Sequence, residues 1–224
     1  MRSGGRDRRS RLHRVACLRI WQDFSYFGSG AGVYELSNFC DAPFELWNLK
    51  WPSSEHAYQA AYRCEKESWP KLACDGELGS LGRGLPLVFK KDEVPKKAKH
   101  WGAKKNRPAM VGIVAKMAVK PERAAKLGLK LRRFSDDERD LGEIKKLFTE
   151  ILLAKYRANS RARAKLLSTE KKQLVEFDRG AKRLADKGKP PLWTGLVQDG
   201  EVVGRNLMGE LMMEVREVLS AESA

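Results

Sequence analysis

Residues 51–60, Trp51-Pro52-Ser53-Ser54-Glu55-His56-Ala57-Tyr58-Gln59-Ala60, set a carboxylate where it could do chemistry. A proline, two serines and an acid, followed by apolar and aromatic residues at helical spacing, mark a helix N-terminus. Glu55 then falls in the first turn, where the positive end of the helix dipole favours its ionised form by about 0.3–1 kcal/mol when exposed. A fixed anion flanked by Trp51, His56 and Tyr58 suits the stabilisation of a cationic transition state. An acid in a first turn also has a purely local use in improving the helix end, and the residue types leave both readings open.

Other residues offer binding chemistry. Ser37 and Asn38, in Leu36-Ser37-Asn38-Phe39, follow a glycine-rich stretch and either bond hydroxyls of a ligand or shape a turn. Arg205 and Asn206 stand where a helix begins, and exposed N–H groups and a guanidinium there favour phosphate; Asn206 equally suits a helix cap. Trp193 offers an aromatic face for a planar ligand, or a core ring. Asp178 and Asp186, upstream of it, are further acids. His56 reads as packing beside the carboxylate or as a direct participant, and Arg216 reads as an ion-pair former.

Lys and Arg outnumber Asp and Glu by 44 to 29 over 224 residues, giving a formal net charge of +15. Such an excess attracts polyanions, so phosphate-bearing partners are the first class to consider. Lysine and arginine also solubilise helix surfaces. Cys17, Cys40, Cys64 and Cys74 lack close pairing and form no zinc template with His13, His56 and His100. The expectation is a reduced, intracellular (cytoplasmic or nuclear) protein with no metal and no cofactor. No apolar run approaches membrane-spanning length, which argues against a membrane partner. Residues 1–19 read as a basic disordered arm, with a transit peptide or nuclear signal as alternatives.

These residues need elements to position them. Residues 20–44 are rich in glycine and aromatics, a binding rim or irregular packing. A helix opened by Ser53 or Ser54 runs to about Glu65. Residues 68–120 form a lysine-rich, insertion-like segment whose run Met110–Ala118 reads as a buried element. Pro121 opens a helix that Gly128 ends. Leu141, Ile144, Leu147, Phe148, Ile151 and Leu152 recur at helical intervals, with Lys145, Lys146, Glu150 and Lys155 elsewhere on the wheel. A helix over about Ser160–Leu167, an extended piece Gln173–Phe177 and a final helix carrying Leu207, Leu211, Met212, Val215, Val218 and Leu219 follow. The fold class is mainly α with a few short β-strands.

The order of four motifs resembles the NADAR, or YbiA-like, family of N-glycosidases: Leu36-Ser37-Asn38-Phe39; Trp51-Pro52 with Glu55-His56 and Gln59-Ala60; Ala154-Lys155-Tyr156; and Gly204-Arg205-Asn206-Leu207-Met208-Gly209 with Leu211-Met212 and Arg216. The resemblance covers about Phe24 to Leu219. It implies a compact multihelical YbiA-like domain over residues 20–220, with a family-variable insertion at about 68–120. It also implies cleavage of an N-glycosidic bond between ribose and an amine or guanine-like nitrogen, with the catalytic glutamate falling on Glu55. A Trp-Gly motif of the family falls on Trp193, which Thr194 follows here.

Departures from the pattern bear on the second catalytic group. The family's lysine three residues beyond the Gln of the Gln-Ala motif is Tyr62 here, with Arg63 next, and a tryptophan is missing near Leu141. If a lysine pairs covalently with the opened ribose, Lys155 and Lys116 are the candidates. The insertion could bring Trp101 and Lys104 or Lys105 to the site. Breaking a ribosyl C–N bond builds positive charge on the sugar and negative charge on the base, which calls for an anion beside the anomeric carbon. Glu55 suits that task by direct electrostatics, by activating water or by moving a ribose proton. The ligand expected is ADP-ribose or a ribose phosphate, with nucleic acid carrying ADP-ribosylated guanine as partner. Alternatives are a riboflavin-pathway N-glycosidase acting on a phosphorylated ribosylaminopyrimidine, and a non-catalytic ADP-ribose or nucleic-acid binding module.

Overall fold

A computed structural model describes residues 24–28, 34–76, 128–130, 132, 140–177, 184, 186–187 and 191–223. In chain order the elements are β1 (Phe24–Gly28), β2 (Phe44–Leu46), β3 (Leu49–Trp51), α1 (Ser54–Arg63), α2 (Trp69–Leu72), α3 (Leu141–Ala158), α4 (Ser160–Leu167), β4 (Gln173–Phe177), β5 (Leu196–Gln198), β6 (Glu201–Val203) and α5 (Leu207–Ala221). The described fold is mainly α, and its strands form three two-stranded pairs. The chain divides into two compact units, one of Met1–Ser37 with Ala164–Ala224 and one of Asn38–Arg163.

In the first unit β1 runs parallel to β4, with Phe24 opposite Gln173 and Gly28 opposite Phe177. Part of the glycine-rich stretch is therefore a strand. The extended piece expected over Gln173–Phe177 is its partner, with Leu174 and Val175 fully buried. α5 packs on β4 and buries Leu207, Leu211, Met212 and Val215, while Val218 is exposed. Gly209 allows that approach, because a Cβ there would drive into the Leu174 carbonyl oxygen. Gly204 has φ +101°, a conformation glycine adopts without strain, as the chain turns from β6 into α5.

In the second unit β2 and β3 form a two-residue hairpin, which the sequence reading did not anticipate. Its turn residues Trp47 and Asn48 both have positive φ, 55° and 57°, the combination that matches strand twist in tight hairpins. A tryptophan is costly there and needs support. Trp47 Nε1 donates to Glu150 Oε1 at 2.9 Å, and its ring packs on Trp51 and Trp69 at centroid distances of 6.1 and 4.7 Å. α1 packs on α3, where the Tyr58 and Phe148 rings stack at 4.0 Å. Each fully buried ring or aliphatic side chain on this face is worth about 1.5–3 kcal/mol.

α1 ends at Arg63, two residues before the expected Glu65, because Cys64 has extended backbone. Asp140 caps α3 by accepting from the Gly142 N–H at 2.7 Å. The buried face of α3 comprises Ile144, Phe148, Ile151, Leu152, Lys155 and Tyr156. Lys155 is thus corrected from the polar side of the wheel to the core. The helix expected after Pro121, most of segment 68–120 and the arm 1–19 lie outside the described residues.

Candidate active site

The N-terminus of α1 is built from both sides. Ser53 holds the N-cap position, yet its hydroxyl makes no cap bond and instead meets His56 Nδ1 at 2.6 Å. The Glu55 N–H, one of the groups a helix start leaves unpaired, donates to the Asn38 carbonyl at 3.0 Å. That bond fixes the Asn38 loop against the helix entrance.

Glu55 is half-buried, and Gln59 Nε2 donates to its Oε1 at 2.9 Å. Gln59 Oε1 in turn accepts from Arg63 Nε at 2.7 Å. At this helix entrance three buried polar atoms have no hydrogen-bond partner among the described residues: Asn38 Oδ1, Ser54 Oγ and His56 Nε2. Buried polar atoms are usually paired, so three together at one helix entrance invite a ligand with hydroxyl or N–H groups. Burial pushes the His56 imidazole down to about 3, so the ring is neutral at physiological pH. One ring nitrogen then donates and the other accepts.

Lys155 lies fully buried on α3, and burial lowers its ammonium to about 8. Cys40, two residues beyond Asn38, is the charge-coupled neighbour that acts against that shift. The same loop is tied to α3 by Asn159, whose Nδ2 donates to the Pro43 carbonyl at 3.0 Å. One loop, residues 38–43, therefore contacts the α1 entrance at one end and the Lys155 turn of α3 at the other. An amine poised near neutrality is a nucleophile or a proton carrier.

A cavity of about 430 Å³ opens at the other end of α1, walled by Tyr62, Trp69, Arg132, Ile144 and Leu147 among others. Tyr62 lies about two turns beyond Glu55, and Glu55, Asn38 and His56 are not among the residues lining it. Among the described residues no group of three or more His, Cys, Asp or Glu side chains has the arrangement of a metal site.

Ser37, buried, belongs to the first unit, where its N–H donates to the Tyr34 carbonyl at 2.9 Å. Trp193 is half-buried and Arg205 exposed in that unit, and Asp186 is exposed. Asn206 is buried; its Nδ2 donates to the Leu174 carbonyl at 2.8 Å and its Oδ1 accepts from the Glu176 N–H at 3.1 Å. Its side chain forms no helix cap. The amide clamps β4 to the start of α5, a role its place at a helix mouth concealed. Arg216 donates to Thr169 Oγ1 and the Lys172 carbonyl, each at 2.8 Å, so among the described residues its bonds go to neutral groups where an ion pair was expected. Lys116, Trp101, Lys104, Lys105 and Asp178 lie outside the described residues. The residues sequence reasoning missed are Gln59 and Arg63, whose spacing of four after Glu55 was the available signal.

A family model described as NADAR domain matches residues 95–220, more than half of the chain. The solved NMR structure of the E. coli protein YbiA is similar over 90% of this chain and 88% of that one, at 21% identity and a TM-score of 0.53. No curated protein gives a match. The stretch carrying Glu55 and Asn38 precedes the matched range.

Proposed function

This chain belongs to the NADAR family, and on that premise we propose that it is an N-glycoside hydrolase that removes ADP-ribose from guanine in nucleic acid. The observation that carries the reading is the α1 entrance, which holds a half-buried carboxylate bonded by Gln59 and three buried polar atoms that lack a hydrogen-bond partner among the described residues, Asn38 Oδ1, Ser54 Oγ and His56 Nε2. Asn38 Oδ1 and the carboxylate only accept hydrogen bonds, and the Ser54 hydroxyl both donates and accepts, so the set fits the hydroxyls of a ribose better than a phosphate, which offers acceptors alone.

Glu55 stabilises positive charge at the anomeric carbon while the C–N bond lengthens. The base departs with the bonding electrons and takes a proton from solvent or an adjacent donor. Water completes the hydrolysis at the sugar. With its ammonium near 8, roughly one Lys155 in ten is neutral at pH 7. That amine can add to the aldehyde carbon of an opened ribose, expelling water to form an imine that water later reverses.

The net charge of +15 supports a polyanionic substrate. Free cysteines at 40, 64 and 74 support an intracellular protein. The reading is tested by incubating the protein with guanine-ADP-ribosylated single-stranded DNA and detecting free ADP-ribose and restored guanine by mass spectrometry. Activity that falls steeply with salt supports the nucleic-acid substrate, and a shallow dependence with turnover of a small ribosylaminopyrimidine phosphate supports the riboflavin-type reaction instead. Binding without any product, at enzyme in excess over substrate, contradicts both enzymatic readings.

A further inference from the structure

We infer that Arg63 is a positioning residue for Glu55 and acts through Gln59, an inference that rests on the catalytic role proposed for Glu55. Residues 55, 59 and 63 follow one another by four, so their side chains stand along a single stripe of α1. Arg63 Nε can only donate, so the atom of Gln59 that faces it at 2.7 Å is the amide oxygen. One orientation of the amide is left, with Nε2 turned to Glu55 Oε1 at 2.9 Å. Without the guanidinium one of the two bonds that fix this amide is lost, and Gln59 is held in its donating orientation by the carboxylate alone.

Burial makes this orientation matter. Gln59 is only 4% exposed, which leaves little room for water to stand in for either bond. Arg63 has other duties: its guanidinium lies 5.6 Å from the Tyr62 ring centre, and its carbonyl accepts from the Arg132 N–H at 3.0 Å. Neither of those contacts reaches Glu55. The two functions are therefore separable by experiment.

The test is a carboxyl-¹³C NMR titration of glutamate-labelled protein, with the Glu55 signal assigned by its loss in Glu55→Gln. Arg63→Met is expected to raise the Glu55 midpoint by about half a unit to one unit, because a bond favouring the charged form is lost. Arg63→Lys, which keeps a donor on a long stem, is expected to return the midpoint part of the way. Gln59→Leu, which removes the donor itself, is expected to raise it at least as far as Arg63→Met. The acid limb of the cleavage rate should move with the midpoint. A midpoint unmoved in both Arg63→Met and Gln59→Leu overturns the relay, including where melting temperature falls. A midpoint that moves while Glu55→Gln keeps full activity leaves the relay standing and contradicts the proposed reaction, so the two failures are distinct.

Discussion

The Glu55 N–H donates to the Asn38 carbonyl at 3.0 Å, while Oδ1 of that same Asn38 is buried with no partner among the described residues. The backbone of Asn38 closes a helix end, and its side chain is left for something else. Replacing Asn38 by Ala keeps the backbone bond and removes a polar atom that burial penalises. Asn38→Ala is therefore expected to fold with stability within about 0.5 kcal/mol of the parent or above it. Substrate affinity should drop by roughly 5–30-fold, the worth of one hydrogen bond of about 1–2 kcal/mol. Denaturant melts beside steady-state KM check this, and a large stability loss with unchanged KM would assign the amide to the fold.

His56 makes stability depend on acid. Its folded value of about 3 lies below the ordinary 6.5, so between those limits the unfolded chain holds more protons than the native one. Stability should be level above pH 6.5, fall as pH drops toward 3, and level off below. The loss reaches on the order of 3–5 kcal/mol. Urea titrations across this range should show the slope in the parent and a flatter one in His56→Gln.

Lys155 acts at the other end of the scale. Its folded value near 8 lies below 10.5, so the unfolded chain binds the extra proton between those values and stability rises with pH through that window. Lys155→Met removes a buried ammonium and is expected to gain up to roughly 3 kcal/mol at pH 7, with the gap closing above pH 10. The same variant should lose any adduct that borohydride traps in the parent. A variant destabilised equally at pH 7 and pH 10 would contradict the charge-burial account.

The clamp between β4 and α5 makes a separate claim about the fold. Asn206→Ala leaves the Leu174 carbonyl and the Glu176 N–H without their partner and is expected to cost about 2–4 kcal/mol. Gly209→Ala forces a methyl group against the Leu174 carbonyl and should cost as much or more. Calorimetry on both variants measures this. Any loss of activity should follow the loss of folded protein, not a selective rise in KM.

The sequence was most readable where local chemistry and burial agree. Ser160–Leu167 and Gln173–Phe177 form with the expected bounds, since each carries its own periodic pattern. The β2–β3 hairpin was illegible because its turn is Trp47-Asn48, without the glycine that ordinarily marks left-handed turn residues; distant packing on Glu150, Trp51 and Trp69 holds it. Lys155 defeated the helical wheel for a like reason. Its hydrophilic type argues for the surface, whereas its position, four residues after Ile151 and three after Leu152, argues for the core, and position wins. For the site, the motif located Glu55 at a helix start, but a single chain does not reveal that Ser53 would serve His56 instead of the backbone. Asn206 shows the reverse case. Its place at the α5 mouth suggested phosphate or capping, and only the return of β4 shows why an amide stands there.

The most direct measurement of the central claim is single-turnover release of ADP-ribose from guanine-modified single-stranded DNA by the parent and by Glu55→Gln. The parent should release it, and Glu55→Gln should slow the step by about 10²–10⁴-fold, a barrier rise of roughly 3–5 kcal/mol, while keeping the parent's binding and melting temperature. A Glu55→Gln protein that cleaves at near the parental rate would contradict the assignment of Glu55 as the anion beside the breaking bond.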